Sequence, residues 1–296
     1  MKETSLELQA PAKINLALAI KAPRADGYHD LETIFQTISL ADRVRVTLSP
    51  KRGICCSCGH LSGEQNLAYQ AARLFREHYQ NTRRAASLPG IEIEIAKHIP
   101  LEAGLAGGSS DAAAVLWALN FLCANPFTEQ ELLLLAQRCG SDTAFCLRGG
   151  TQWGEGKGTE LAELPPAPEM DIVIAKPSAG ISTAKAYRLF AEIGSYSSLD
   201  RELWVKILQS QDREKVGQQL FNSLEIAAFR LLPEIRLIKE LLLKEGCLGA
   251  LMSGSGSAVF GIVRDKRQGE RVREVLAESG FHNTWLVKTV KHRGLY

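Results

Sequence analysis

The stretch that decides the reading of this chain is Pro100-Leu101-Glu102-Ala103-Gly104-Leu105-Ala106-Gly107-Gly108-Ser109-Ser110, which runs directly into the apolar segment Asp111-Ala112-Ala113-Ala114-Val115-Leu116. Gly104, Gly107 and Gly108 let a backbone turn sharply and approach a ligand where a Cβ would collide with it. Ser109, Ser110 and Asp111 offer N-capping oxygens, and the alanine-rich run behind them has high helix propensity. A glycine-rich loop feeding a helix N-terminus leaves several N–H groups unpaired at the positive end of the helix dipole, a place for phosphate oxygens. Neither common phosphate fingerprint is present. No Gly-x-x-x-x-Gly-Lys-Ser/Thr occurs, and the three glycines do not fit Gly-x-Gly-x-x-Gly. The alternative is a turn before a core helix, with no ligand. A second glycine–serine segment, Met252-Ser253-Gly254-Ser255-Gly256-Ser257, precedes a strand-like run over 258–263.

Composition sets the frame around that loop. The chain has 296 residues, 45% hydrophobic and 23% charged, which is long for one core and comfortable for two domains. A net charge of +2, with short and scattered basic clusters, argues against nucleic acid as a partner. No apolar run approaches the length of a membrane span, and residues 1–8 carry no signal-peptide core, so a cytoplasmic protein is expected. Seven cysteines are present. Cys55, Cys56 and Cys58 with His60 suggest a metal cluster, but adjacent Cys55 and Cys56 point to opposite faces of a strand. No second Cys-x-x-Cys pair closes a tetrahedral site, so a strand with small thiol residues is the better reading.

Residues 14, 16, 18 and 20 alternate as Ile, Leu, Leu and Ile. This gives a strand with one apolar face and one face carrying Lys13 and Asn15. Alternation recurs at 44–48 and 91–95. Helices are expected over 66–79, 110–123 and 128–138, the last with a Thr128/Glu131 capping box. The segment Leu164-Pro165-Pro166-Ala167-Pro168-Glu169 disfavours both helix and sheet. Beyond it come a strand at 171–175, a mostly helical stretch over 203–244 broken around Pro233, and closing strands at 258–263 and 285–290 around a helix at 268–279. Without regular βαβ alternation the class is α+β, with domains 1–160 and 161–296.

If the loop binds nucleotide phosphates, a phosphoryl transferase also needs a cation near the transferring group and a residue that orients or deprotonates the acceptor hydroxyl. Lys13, beside Asn15, is a candidate for the first, against the alternative of a strand-edge surface lysine. Asp142, in Cys139-Gly140-Ser141-Asp142-Thr143, is a candidate for the second; its alternative role is to N-cap the next short helix. Tyr28 and His29, in a loop after Pro23-Arg24-Ala25-Asp26, suit stacking on a base and bonding to its edge. The alternative is a packed tyrosine with a surface histidine.

Taken together, Pro11-Ala12-Lys13-Ile14-Asn15-Leu16, the loop 100–110 and Ser253-Gly254-Ser255-Gly256 resemble the three ordered motifs of the GHMP kinase superfamily, over essentially the whole chain. The resemblance implies a two-domain α+β fold, with an N-terminal domain of ribosomal-protein-S5-like domain 2 type and a ferredoxin-like C-terminal domain. Asp26-Gly27-Tyr28-His29 and Gly140-Ser141-Asp142-Thr143 narrow it to the members that use ATP with Mg²⁺ to phosphorylate the 2-hydroxyl of a cytidine diphosphate-linked methylerythritol, in the non-mevalonate isoprenoid pathway. On that resemblance Lys13 and Asp142 are the catalytic pair and residues 100–110 hold the ATP phosphates. Asn15, Tyr28, His29 and Tyr187 hold the acceptor, and the chain is a monomer or homodimer. No carboxylate is assigned to magnesium. The competing readings are a homoserine, mevalonate or sugar kinase of the same superfamily, and a non-catalytic ligand sensor on the same fold. One departure stands out: Glu102 and Ala106 occupy positions where relatives commonly carry glycine or another small residue.

Overall fold

The computed structural model describes residues 4–24, 29–82 and 88–291. Two long strands, β1 (Ser5–Pro23) and β2 (His29–Ser49), pair antiparallel along most of their length. Register shifts between Pro11 and Lys13 and between Asn15 and Ala17 bracket the Lys13–Asn15 segment, and such irregularities re-aim side chains. β3 (Ile54–Ser57), α1 (Leu67–Thr82), β4 (Gly90–Ala96), α2 (Gly107–Leu122), α3 (Glu129–Cys139), α4 (Thr143–Arg148), β5 (Thr151–Glu155) and β6 (Glu160–Glu163) follow. The first sheet runs β3-β4-β2-β1, with β5 also on β2 and β6 on β5.

Helices α1–α4 cover one face of this sheet. Ala68, Ala72 and Phe75 of α1 and nearly every residue of α2 from Ser110 to Leu119 pack with Val44, Val46, Ile91 and Ile93. A helix apolar all round must be buried, and the alanines of α2 let its neighbours approach closely. The expected capping box starts α3: Thr128 Oγ1 accepts from Glu131 N at 3.3 Å and Glu131 Oε2 accepts from Thr128 N at 2.8 Å.

The second sheet is built from β7 (Asp171–Ala175), β9 (Gly249–Met252), β10 (Val259–Val263) and β11 (Thr284–Lys288), in the order β11-β7-β10-β9, all antiparallel. The two-residue period decides its faces. Ile172 and Ile174 join Ile14, Leu16, Ile34 and Ile38 of the first sheet, while Val173 and Ala175 face the opposite core. That opposite core is roofed by α5 (Thr183–Ile193), α8 (Glu225–Leu231), α9 (Glu234–Lys244) and α10 (Lys266–Glu278).

The stretch over 203–244 is mostly helical and breaks at Pro233 as expected, but it is divided into four short helices. α6 (Arg201–Gln209) and α7 (Arg213–Gln218) precede α8 and α9, and the strand β8 (Phe221–Asn222) interrupts them. Asp200 and Asp212 cap α6 and α7, so each helix is nucleated separately. β8 leaves the helical layer to pair parallel with Ala17 and Leu18 of β1. No helix among the described residues is long and apolar enough to cross a membrane.

Candidate active site

Lys13 and Asn15 lie on the polar face of β1, yet that face is not a solvent face: they are 3% and 1% exposed. The strand-edge alternative for Lys13 is therefore excluded, because Phe35, Asp142 and Gly254 close around its ammonium. Lys13 Nζ donates to Asn15 Oδ1 at 2.8 Å and stands 5.5 Å from the ring centre of Phe35. Asn15 Nδ2 donates to Thr33 Oγ1, which in turn donates to the Ala17 carbonyl, both at 2.7 Å. This chain of bonds fixes the amide so that its oxygen faces the ammonium.

Asp142 supplies the countercharge. It occupies the N-cap position of α4 but makes no side-chain cap, so the capping alternative is not realised. Its Oδ2 lies 3.4 Å from Lys13 Nζ instead, with about a quarter of the side chain open to the cavity. The carboxylate is thus tethered at one end and accessible at the other.

The glycine loop is held by its carbonyls. Those of Glu102, Ala103, Gly104 and Leu105 accept from Ser257 N (3.1 Å), Ala258 N (3.1 Å), Ser253 Oγ (3.0 Å) and Lys13 N (3.1 Å). With the oxygens turned away, the loop presents its N–H side to the cavity. The second glycine–serine segment thus clamps the first, and Asn222 of β8 fixes that clamp by donating to the Met252 and Gly254 carbonyls at 2.8 Å each. Helix α2 begins at Gly107, earlier than the expected start at Ser110, behind Ala106 in the left-handed conformation (φ 58°) with no capping side chain. Ser109, Ser110 and Asp111 therefore do not cap the helix. They lie in its first turns, Ser110 Oγ donating to the Pro11 carbonyl at 2.7 Å. The first-turn amides keep their dipole end open to an anion.

Lys13, Asn15, the loop 100–108 and Asp142 line one cavity of about 540 Å³. A neighbouring cavity of about 890 Å³ shares Ser141, Lys157 and Tyr187 with it and adds His29 and Arg188. The His29 ring packs 5.7 Å from Tyr187 and 6.5 Å from Tyr196, while its Nε2 is buried with no hydrogen-bond partner among the described residues. Burial pushes the Tyr187 hydroxyl well above its ordinary pKa, so it stays protonated. Tyr28 lies outside the described residues. A third cavity, about 440 Å³, opens beyond Gly108 and is lined by Cys58, His60, Asn66, Lys97 and Asp111 among others. Cys55 is exposed and Cys56 buried, as opposite faces of β3 require, and no group of three His, Cys, Asp or Glu among the described residues could hold a metal ion.

Family models match on both sides of this site: the GHMP kinases N terminal domain over residues 66–150 and the GHMP kinases C terminal domain over 204–282. The chain is 50% identical to a 4-diphosphocytidyl-2-C-methyl-D-erythritol kinase of Desulfitobacterium hafniense across the full length of both. The chain belongs to the GHMP kinases. A second relative of the same name, from Moorella thermoacetica, is 41% identical over 93% of this chain and 95% of its own. Among solved structures, a 4-(cytidine 5'-diphospho)-2C-methyl-D-erythritol kinase superposes with a TM-score of 0.81 at 35% identity, covering 96% of this chain and 99% of that one. A homoserine kinase from Cytophaga hutchinsonii shares the fold, with a TM-score of 0.75 at 21% identity over 100% and 98% of the two chains.

Sequence reasoning passed over several residues of this GHMP kinase. Thr33 and Asn222 act only through Asn15 and the 252–254 backbone, and nothing local marks them. Asp42, Lys97 and Asp111 form a buried cluster behind the phosphate loop. Lys97 Nζ bonds Asp42 Oδ2 and, at 2.7 Å, Asp111 Oδ2, while Asp42 Oδ1 accepts from the Ile99 amide at 2.8 Å. A lysine two residues before the buried Ile99, with an acid inside an alanine helix, was the available signal.

Burial pushes the Asp111 carboxyl up to about 7 against the pull of Lys97, with Asp42 adding a like charge. A carboxyl whose folded pKa is raised contributes stability that is present below its ordinary value of 3.8 and is lost as pH rises through about 7. Melting temperature is accordingly expected to fall between about pH 4 and pH 7, and Asp111→Asn is expected to flatten that decline. Parallel pH–melting curves for variant and wild type would remove Asp111 as the cause.

Proposed function

We propose that this GHMP kinase transfers the γ-phosphoryl group of ATP to the 2-hydroxyl of 4-diphosphocytidyl-2-C-methyl-D-erythritol, with Lys13 and Asp142 as the catalytic pair. The observation that carries the reading is the Lys13–Asp142 pair, 3.4 Å apart, opening into the same cavity as the amides at the start of α2. ATP phosphates lie along residues 100–110, and the cavity beyond Gly108 takes the nucleoside end. The acceptor hydroxyl sits against Asp142, which orients it and accepts its proton as the new O–P bond forms. The bond from the γ-phosphorus to the bridging oxygen breaks, and ADP carries the electron pair away. Lys13 holds the acceptor oxygen and the transferring group in register. Because the transition state is loose, positioning is the larger part of this work.

Magnesium enters on ATP. Mg²⁺ keeps several waters and needs only one or two protein oxygens, which agrees with a site that has no three-residue metal cluster among the described residues. When bound it neutralises charge on the β- and γ-phosphates. In this reading residues 1–160 supply the phosphate loop and catalytic pair, and residues 161–296 complete the cleft.

The larger neighbouring cavity favours a nucleotide-linked acceptor over homoserine or mevalonate. His29 Nε2, buried and unpartnered, suits a cytosine edge, and Tyr187 supplies an aromatic face. Asn15 meets the polyol, and Tyr28 stacks on the other side of the base. Lys157, which lines both cavities, stands where the linking diphosphate must pass. The direct test is phosphorylation of the cytidine diphosphate-linked methylerythritol with ATP and Mg²⁺, run beside homoserine and mevalonate. Tyr187→Ala is expected to raise the acceptor KM by about tenfold or more, since stacking is worth roughly 1–3 kcal/mol per base, with the ATP KM little changed. Tyr28→Ala and His29→Ala should behave alike. If all three bind free cytidine nucleotides as wild type does, base recognition lies elsewhere.

A further inference from the structure

Glu102 and Ala106 are the two non-glycine residues of the phosphate loop with left-handed backbone, at φ 50° and 58°. A side chain there is strained, so the environment of each must hold it. For Glu102 that environment is the segment after β7. A Cβ built on Gly180 would collide with the Glu102 carboxylate and come within 2.6 Å of the Glu102 Cβ and 3.2 Å of its Cδ, and these are the three nearest atoms. Gly180 itself does not lie in the left-handed region, so the nearest obstacle to a larger residue is the Glu102 side chain.

The same segment is braced by Lys176, whose Nζ donates to the Pro177 and Ala179 carbonyls at 3.0 and 3.3 Å. Burial pulls its pKa down, and Glu102 is the charge that opposes this. Ser257 ties the same pieces together: its amide donates to the Glu102 carbonyl and its Oγ to that of Ala179 at 2.9 Å. The segment then continues into Ile181 and Thr183, which line the catalytic cavity.

We propose that Glu102 is a positioning residue: its side chain, laid across Gly180, fixes the phosphate loop on the 176–183 segment. Its carboxylate packs against Gly180, a contact that gives an acid in the phosphate loop a structural role. The proposal rests on residues 102–108 holding ATP phosphates and is independent of the acceptor's identity.

The test is a second-site series read by binding of the non-hydrolysable analogue AMP-PNP with Mg²⁺, without acceptor, and by the ATP KM and kcat. Gly180→Ala is expected to weaken AMP-PNP binding and raise the ATP KM by about tenfold, with a smaller change in kcat. Glu102→Gly in the Gly180→Ala background removes both colliding groups and suits the left-handed backbone, so it should restore binding to the level of Glu102→Gly alone. Glu102→Gln in that background keeps the bulk and should restore nothing. If Gly180→Ala fails to fold, recovery of a cooperative melt and of AMP-PNP binding in the Glu102→Gly double variant reads the same contact. The proposal is overturned if Gly180→Ala binds as wild type, if the Glu102→Gly double variant stays impaired or unfolded, or if Glu102→Gln rescues equally. A Glu102→Gln single variant that needs more Mg²⁺ for half-maximal rate would make Glu102 a metal ligand and also overturn it. Failure of every variant to bind AMP-PNP, wild type included, would instead refute the phosphate-loop reading.

Discussion

Asp142→Asn is expected to lower kcat by about a thousandfold while leaving ATP affinity within a few-fold, in the range general-base and positioning groups supply. The substitution keeps size and shape. The Asp142 side chain caps nothing in α4, so the helix does not depend on it. What is lost is the acceptor-facing oxygen and the partner of Lys13, held 3.4 Å away. Lys13 is buried, so its ammonium is left with the Asn15 oxygen and without the carboxylate that faces it. The measurement is steady-state kinetics with an AMP-PNP titration and a melting curve on the same sample. A variant that turns over near the wild-type rate would remove Asp142 from the mechanism.

The second-largest effect is expected at Gly104. Its φ of +72° costs an alanine about 1–2 kcal/mol. A Cβ would also overlap the Ser253 carbonyl oxygen and come within 2.9 Å of its carbon. These are backbone atoms of the clamp that holds the loop, so neither side can yield without moving the Ser253 Oγ–Gly104 bond. Gly104→Ala should reduce kcat/KM for ATP by at least about a hundredfold and lower the melting temperature by a few degrees. Gly108→Ala is the comparison: its Cβ would meet only the flexible end of Leu67 at 3.4 Å, without positive φ, so its loss should be much smaller. Equal losses at the two positions would show that the clamp is not what Gly104 protects.

The sequence by itself determined what is local. Period-two alternation placed β1, the second half of β2 and β4, the Thr128/Glu131 box placed the start of α3, and three prolines marked the break before the second sheet. The loop 100–110 was legible because a run of glycines before an alanine helix has few other uses. Its first helical residue was not, since Ser109, Ser110 and Asp111 have the chemistry of caps and only the turn at Ala106 decides that they lie inside the helix. Tertiary structure decided the rest. Whether Lys13 faces water or a cavity depends on Asp142 and the 253–257 segment, which lie far along the chain. Whether Asp142 caps α4 or reaches Lys13 is a choice between two partners that both satisfy a carboxylate, and it is settled by where β1 passes. Asn222, Thr33 and Gly180 hold the site through contacts with residues distant in sequence. A residue's own type and spacing carry no signal for such contacts, because the partner that gives the side chain its role is supplied only when the two sheets close on each other.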